Sequence, residues 1–347
     1  MSRIFRLLNP LMYCYNYVGN IVQVRGVLMK STVAVIGTVF VDCKGFSHHT
    51  FDPAGRNLGQ VKFFHGGVGR NVAENLANLN IPVIFASTVD KTGIGQEVIA
   101  RLQKAKVNVN YVSHTEVRGM GFWLALLDKT GDLAGAISQM PDLEAYQAYI
   151  LDKGKEIIEQ ASDIVLELDL NIDITRSVMK MAMAAKRRVY GIPGNLSVIN
   201  ENPDILSGLE CFICNNIEAA KLMDTELDVK NHQDIVSKLT EFVSSRNMRS
   251  MVITLGSEGA VYYDAVSNAF GYQGIFPVNV VDTSGAGDAF FSGTIMGLVK
   301  GNPLERSVTL GAKVASWTIE SKENTCPSLK ERILTDPLFT QKQIRLA

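Results

Sequence analysis

Short β-branched runs separated by helical segments constrain this chain more than any other feature. They run from Thr32 to Phe40 (interrupted by Gly37), Val83 to Ser87, Ile164 to Leu168, Val189 to Ile192, Cys211 to Cys214 and Met251 to Leu255. Apolar strands of this length, alternating with helices, bury both faces as a mostly parallel central sheet flanked by helices on either side. An α/β fold of that kind binds its ligands at the carboxyl ends of the strands. With 347 residues, 46% hydrophobic and 20% charged, the chain can bury one large core, and its 29 glycines suit many tight turns.

Two stretches break the alternation, Val39 to Phe64 and Met120 to Ile137. In the second, Gly121 to Leu127 and Leu133 to Ile137 flank Asp128-Lys129-Thr130-Gly131-Asp132, which reads as a β-hairpin with a polar turn.

The run Val281-Asp282-Thr283-Ser284-Gly285-Ala286-Gly287-Asp288-Ala289-Phe290 carries the chemistry. It sets a Gly-Ala-Gly turn between two carboxylates, and an apolar helix follows, ending at Lys300-Gly301-Asn302-Pro303. Unpaired N–H groups at a helix start attract anions, and glycine lets a phosphate approach them without a side chain in the way. Asp288 at the helix mouth can orient a hydroxyl and accept its proton while Gly285, Ala286 and Gly287 N–H groups offset charge on a migrating phosphoryl group.

Upstream, Gly66-Gly67 permits close backbone approach to a substrate, and Asn71, one helical turn on, can both donate and accept. Asn71, Asn75 and Asn78 form a stripe at helical spacing; Asn71 is assigned to the site, Asn75 and Asn78 to a solvated face. Asp42, just past the first strand, can accept hydrogen bonds from two neighbouring hydroxyls of a sugar.

Asp282-Thr283-Ser284-Gly285-Ala286-Gly287-Asp288 resembles the D-T-x-G-A-G-D signature of the ribokinase-like (PfkB) carbohydrate kinases. His65-Gly66-Gly67-Val68-Gly69-Arg70-Asn71-Val72-Ala73 resembles that family's first signature, Asn215-Asn216-Ile217-Glu218 its N-x-x-E element, and Thr254-Leu255-Gly256-Ser257-Glu258-Gly259 its nucleotide-side turn. The resemblance implies a kinase using ATP and Mg²⁺, with a small β-sheet lid at about 39–64 and 118–140 that covers the acceptor and dimerises. It places Asn215, Thr254, Gly256, Gly259, Thr283 and Asn324 on the nucleotide side and gives Glu218 a hold on Mg²⁺ through water. Asp282, with the segment around Ser316 to Asn324, could supply a site for a monovalent cation, K⁺.

Within the family, G-G-V-G-R-N-x-A-x-N-L-A at residues 66–77, Ser47-His48-His49 and Asn324-Thr325-Cys326-Pro327 are most similar to the pseudouridine kinase branch. Ile192-Pro193 departs from that branch, which tends to carry Asp-Pro there. The expected reaction is phosphorylation of a primary hydroxyl of a nucleoside or sugar, pseudouridine before ribose or fructose. The alternative of another class is a sugar- or nucleoside-binding regulator without turnover; an intact Asp288 argues against it.

A net charge of −1 with no basic stripe points away from nucleic acid, and no apolar run is long enough to span a membrane. Five cysteines, an odd number, argue against a disulfide framework and for a reducing, cytoplasmic setting. Cys211 and Cys214 form a C-x-x-C, but on a strand that spacing sends the thiols to opposite faces, which suits core packing. Gly67-Val68-Gly69-Arg70-Asn71-Val72 ends in Val where a dinucleotide fingerprint needs a small residue, and no G-K-[ST] makes a P-loop.

Residues 1–30 carry Arg3, Arg6, Arg25 and Lys30 with no Asp or Glu, and are expected to lie outside the kinase domain as a non-native leader. Met29-Lys30-Ser31 leads into the first strand as an initiator would. The domain is assigned to 31–335 and a tail to 336–347.

Overall fold

The computed structural model describes residues 21–24, 27–116, 118–194 and 196–340. Its main sheet has nine strands, in the order Ala269–Gln273, Ala260–Asp264, Ser250–Thr254, Cys211–Asn215, Arg188–Ile192, Asp163–Glu167, Val33–Ile36, Val83–Asp90 and Asn108–Thr115. All neighbours from Ser250–Thr254 to Asn108–Thr115 are parallel, and the other two strands close the far edge antiparallel.

Alternate residues feed two helical layers. Val33 and Val35 join one core with helices Val68–Asn78, Gly93–Lys104, Ala286–Val299 and Leu304–Ile319, while Ala34 and Ile36 join the other with Leu143–Glu159, Ile172–Ala184 and His232–Ser245. Cys211 packs in the first core and Cys214 in the second, so the two thiols do face apart. Burial pushes the Cys211 thiol up to about 12, which keeps it an inert part of the core.

The run expected as one strand from Thr32 to Phe40 is two. Val33–Ile36 lies in the main sheet and Phe40–Ser47 in a separate one. The break falls at Gly37, where a Cβ would sit 2.5 Å from Glu167 Oε2 and 2.8 Å from Gly69 Cα, so only glycine lets the chain pass under the next helix. Asp42 therefore lies within the second of these strands rather than just past the first.

The small sheet has four strands, in the order Gly59–Gly66, Phe40–Ser47, Gly121–Leu127, Leu133–Gln139. Its outer pairs are antiparallel and its central pair parallel, and both interruptions read in the sequence contribute a hairpin. Asp128 Oδ1 holds the second turn, accepting from the N–H groups of Thr130 at 2.8 Å and Asp132 at 3.1 Å.

At the carboxyl end, residues 336–340 pack back on the domain instead of leaving it: Arg306 donates to Leu338 O at 2.6 Å, and the Trp317 and Phe339 rings lie 5.3 Å apart. Ile21–Val24 and Val27–Lys30 form an antiparallel pair, with Met29 in the second strand. The rest of residues 1–30, expected as a leader, lies outside the described residues, as do residues 341–347.

Candidate active site

Val281 N and Asp282 N both donate to Ile319 O, at 2.9 and 3.2 Å, and Asp282 Oδ1 accepts from Ser284 N at 2.8 Å. These bonds turn the chain into Gly285, whose φ of 76° is left-handed and whose Cβ, if it had one, would lie 2.0 Å from Asn324 O. Helix Ala286–Val299 starts there. Ala286 N donates to Thr283 O at 3.2 Å, so the donors left open in the first turn are those of Gly287 and Asp288. A Cβ on Gly287 would meet nothing within 4 Å, which leaves room for a ligand oxygen beside them.

A hydrogen bond joins the two glycine motifs, which lie far apart in sequence. Asn71 Nδ2 donates to Asp288 Oδ2 at 2.7 Å. Asn71 is 4% exposed and its Oδ1 is buried without a partner among the described residues, an acceptor available to a substrate hydroxyl. Burial pushes the Asp288 carboxyl up to about 7, with the Asn71 bond pulling it down, the Glu167 charge adding to the rise and the Arg70 charge opposing it. A carboxyl poised there suits a general base at neutral pH.

Because the base form exists above that pKa, kcat/KM should climb by about tenfold per pH unit below it and level off above it. Loss of the stabilising donor in Asn71→Ala should move this limb to higher pH. A profile flat from pH 5.5 to 8.5 would remove Asp288 from the role.

Among the residues expected to bind the acceptor, Asp42 lies over the Gly66-Gly67 turn: a Cβ on Gly66 would be 3.2 Å from Asp42 Oδ1. Burial raises the Asp42 carboxyl, and the charges of Lys44 and Arg70 pull it back. Gly67, with φ 93°, caps helix Val68–Asn78.

Beneath this turn is a polar network that the sequence did not reveal. Arg70, 1% exposed, donates to His65 O and to Gly66 O, and pairs with Glu74 Oε2 at 2.5 Å. Glu74 also accepts from Arg101 Nε at 2.9 Å and from Thr325 Oγ1 at 3.2 Å. Glu167, 2% exposed, accepts from Thr38 N at 2.7 Å and from Gly69 N at 3.1 Å, so it caps the same helix from below. Asp169, two residues on, is pushed up to about 7 by burial and the Glu167 charge. Spacing alone could not single out these residues, although a glutamate inside the run Ile164 to Leu168 was a signal of a buried carboxylate.

Asn75 corrects the solvated-face expectation. It is fully buried, and neither side-chain polar atom has a partner among the described residues; Asn78 is half-buried. The helix is covered on that side too, with nine of its residues, Gly69 through Ala77, buried.

Of the residues expected on the nucleotide side, Asn215 and Glu218 form a capping box: Asn215 Oδ1 accepts from Glu218 N at 2.9 Å and Glu218 Oε2 from Asn215 N at 2.8 Å. One Glu218 oxygen is thereby committed to the fold. Thr254 stands opposite Asn215 in register, and Gly256 (φ 61°) and Gly259 (φ 89°) turn the chain beyond it. Thr283 lies exposed before the helix. Asn324 joins the other side: its Nδ2 donates to His65 O at 3.1 Å while its carbonyl sits under Gly285. It braces the His65–Gly67 turn against the Gly285 turn. No group of three or more His, Cys, Asp or Glu among the described residues could hold a metal by itself.

Across residues 30–331 the sequence matches the pfkB family carbohydrate kinase model. The chain belongs to that family. As a pfkB-family kinase it is a phosphotransferase with an alcohol group as acceptor. It is 37% identical to the guanosine-inosine kinase of Exiguobacterium acetylicum over 84% of this chain and 95% of the relative. It is 29% identical to the pseudouridine kinase of Escherichia coli K12 over 86% and 94%. The structure of Arabidopsis thaliana ribokinase, complexed with ribose and ATP, superposes with a TM-score of 0.76 at 20% identity, covering 90% of this chain and 100% of that one, which establishes the ribokinase-like fold with its lid.

Proposed function

We propose that this pfkB-family kinase transfers the γ-phosphate of ATP to the 5′-hydroxyl of a ribonucleoside, inosine or guanosine before pseudouridine. The observation that carries it is the Asn71–Asp288 hydrogen bond, which puts a base of pKa about 7 beside the acceptor turn. The relatives named for guanosine, inosine and pseudouridine support a nucleoside over a free sugar, and Ile192 in place of an aspartate weighs against pseudouridine as the first choice.

Asp42 and the Gly66-Gly67 backbone hold the ribose diol, Asn71 Oδ1 accepts from a sugar hydroxyl, and Asp288 takes the proton of the 5′-hydroxyl as it attacks. The open N–H groups at Gly287 and Asp288, with Gly285 holding the turn, stabilise charge on the phosphoryl oxygens. ATP bound along Asn215, Thr254, Gly256, Gly259 and Thr283 supplies the phosphoryl group. Mg²⁺ suits a site with one uncommitted carboxylate oxygen on Glu218, because that ion keeps several waters and takes its other ligands from phosphates. For K⁺, the Asp282 carboxylate would be the ligand, since Ile319 O already accepts from Val281 N and Asp282 N.

The lid excludes water that would otherwise compete for the phosphate. Its outer face exposes Val61, Phe63, Leu124 and Ile137, the surface on which a second copy would pack as a homodimer. A cytoplasmic site of action accords with the free thiols of Cys211 and Cys214.

The test is ADP release with Mg²⁺-ATP across inosine, guanosine, pseudouridine, adenosine, ribose and fructose. Inosine and guanosine should give the highest kcat/KM. Strong turnover of ribose or fructose with none of any nucleoside would replace this reading with a ribokinase- or fructokinase-like one.

A further inference from the structure

The lid presents two different faces. Cys43 lies between Phe63 and Leu124 on the outer one, whereas Asp42 lies between Phe64 and Trp123 on the other, in one row across three strands. One step along that inner face is Lys44, whose Nζ is 5.0 Å from the Phe64 ring centroid and 5.8 Å from that of Trp123. The ammonium is held over both rings by cation–π attraction, and it makes no salt bridge among the described residues. A hydroxyl-binding carboxylate is therefore flanked by two aromatic surfaces and a cluster of N–H donors.

We infer that Phe64, Trp123 and Lys44 form the base-reading surface of the acceptor site, the rings stacking on the nucleobase and Lys44 donating to a carbonyl oxygen of it. This rests on the nucleoside reading above. The carbon that carries the base is bonded to the carbon that carries the 2′-hydroxyl, so a ribose diol held on Asp42 puts the base beside the flanking residues of Asp42. Aromatic side chains stack on any base and confer affinity without choice between bases. The ammonium confers the choice. It has three donors and no acceptor, so it pairs with the 6-oxo group of hypoxanthine or guanine, or with a carbonyl of uracil. It has nothing to offer the 6-amino group of adenine, which is itself a donor.

Lys44 thus acts as a specificity-determining residue, and Trp123 and Phe64 as affinity determinants. A hydrogen bond involving a charged group contributes about 1.5–3 kcal/mol, which corresponds to a preference of about 10- to 150-fold.

The experiment measures kcat/KM for inosine and adenosine with the wild type, Lys44→Met, Lys44→Arg and Trp123→Leu. Lys44→Met should lower the inosine-to-adenosine ratio by about tenfold or more, Lys44→Arg should restore most of it, and Trp123→Leu should raise KM for both nucleosides while leaving their ratio in place. A merely structural role for Lys44 would depress both substrates together. Nucleoside turnover with a ratio unmoved by Lys44→Met would overturn this inference alone. Turnover of free ribose and of no nucleoside by the wild type would overturn the nucleoside reading and this inference with it.

Discussion

Asp288→Asn should lower kcat by about 10²- to 10⁴-fold while KM for the acceptor changes by no more than a few-fold. The substitution is nearly isosteric, and the new amide oxygen can still accept from Asn71 Nδ2, which lies 2.7 Å from Asp288 Oδ2. The acceptor turn and the helix start therefore stay in place. What disappears is the group that takes the proton from the attacking hydroxyl. Residual activity should persist, because the open N–H donors of the first turn remain and each such donor contributes about 10²- to 10³-fold. Steady-state kinetics with saturating Mg²⁺-ATP decides the matter: a variant that retains kcat within threefold would show that the proton leaves by another route.

The second large effect is on stability. Glu74→Ala should cost about 3–5 kcal/mol, because it leaves Arg70 buried without its carboxylate. Arg70 is 1% exposed and reaches Glu74 at 2.5 Å, so water cannot replace the lost partner. Against a total stability of about 5–15 kcal/mol for a folded domain, that is a large share. Arg101→Ala touches the same carboxylate from a side chain that is 30% exposed, where solvent screens the pair, and should cost about 1 kcal/mol or less. Urea unfolding of the two variants at one pH separates the cases. Equal losses would mean that the network shares its charge evenly and that Arg70 is not its anchor.

The Glu74 variant should also affect binding. Arg70 donates to the carbonyls of His65 and Gly66, and Asn324 donates to His65 O from the other side. Loosening Arg70 releases the Gly66-Gly67 turn, on which the proposed reading seats the acceptor.

Much of this site was legible in the sequence because its parts are local. Gly285 to Asp288 announce a helix start with open donors, and only the order of residues is needed to read that. The C-x-x-C at Cys211 was correctly assigned to two faces for the same reason: strand periodicity is a local property. The lid hairpin at Gly121 to Gln139 followed from a polar turn between apolar runs.

Where the sequence failed, the deciding contact was distant. Asn75 looked solvated because neighbours three and four residues away are polar, yet the helix is covered by elements that come much later in the chain. The interruption at Gly37 was visible, but not that the chain changes sheets there, because nothing nearby shows that Glu167 and Gly69 occupy the space a side chain would need. The tie from Asn324 to His65 O crosses 259 residues, and no local pattern could announce it.

By itself, then, the sequence determined the fold class, the position of the helix start after Gly285 and the place of Asp288 in its first turn, all set by short-range periodicity, capping and glycine geometry. Only the tertiary structure decided that Asn71 bonds to Asp288 across 217 residues, that a buried Arg70–Glu74 pair anchors the Gly66-Gly67 turn, and that Asp42 shares a face with Phe64, Trp123 and Lys44. The physical reason is that burial and pairing depend on which remote elements the sheet order brings together, and burial in turn raises the Asp288 pKa to about 7, where a carboxylate can work as a base.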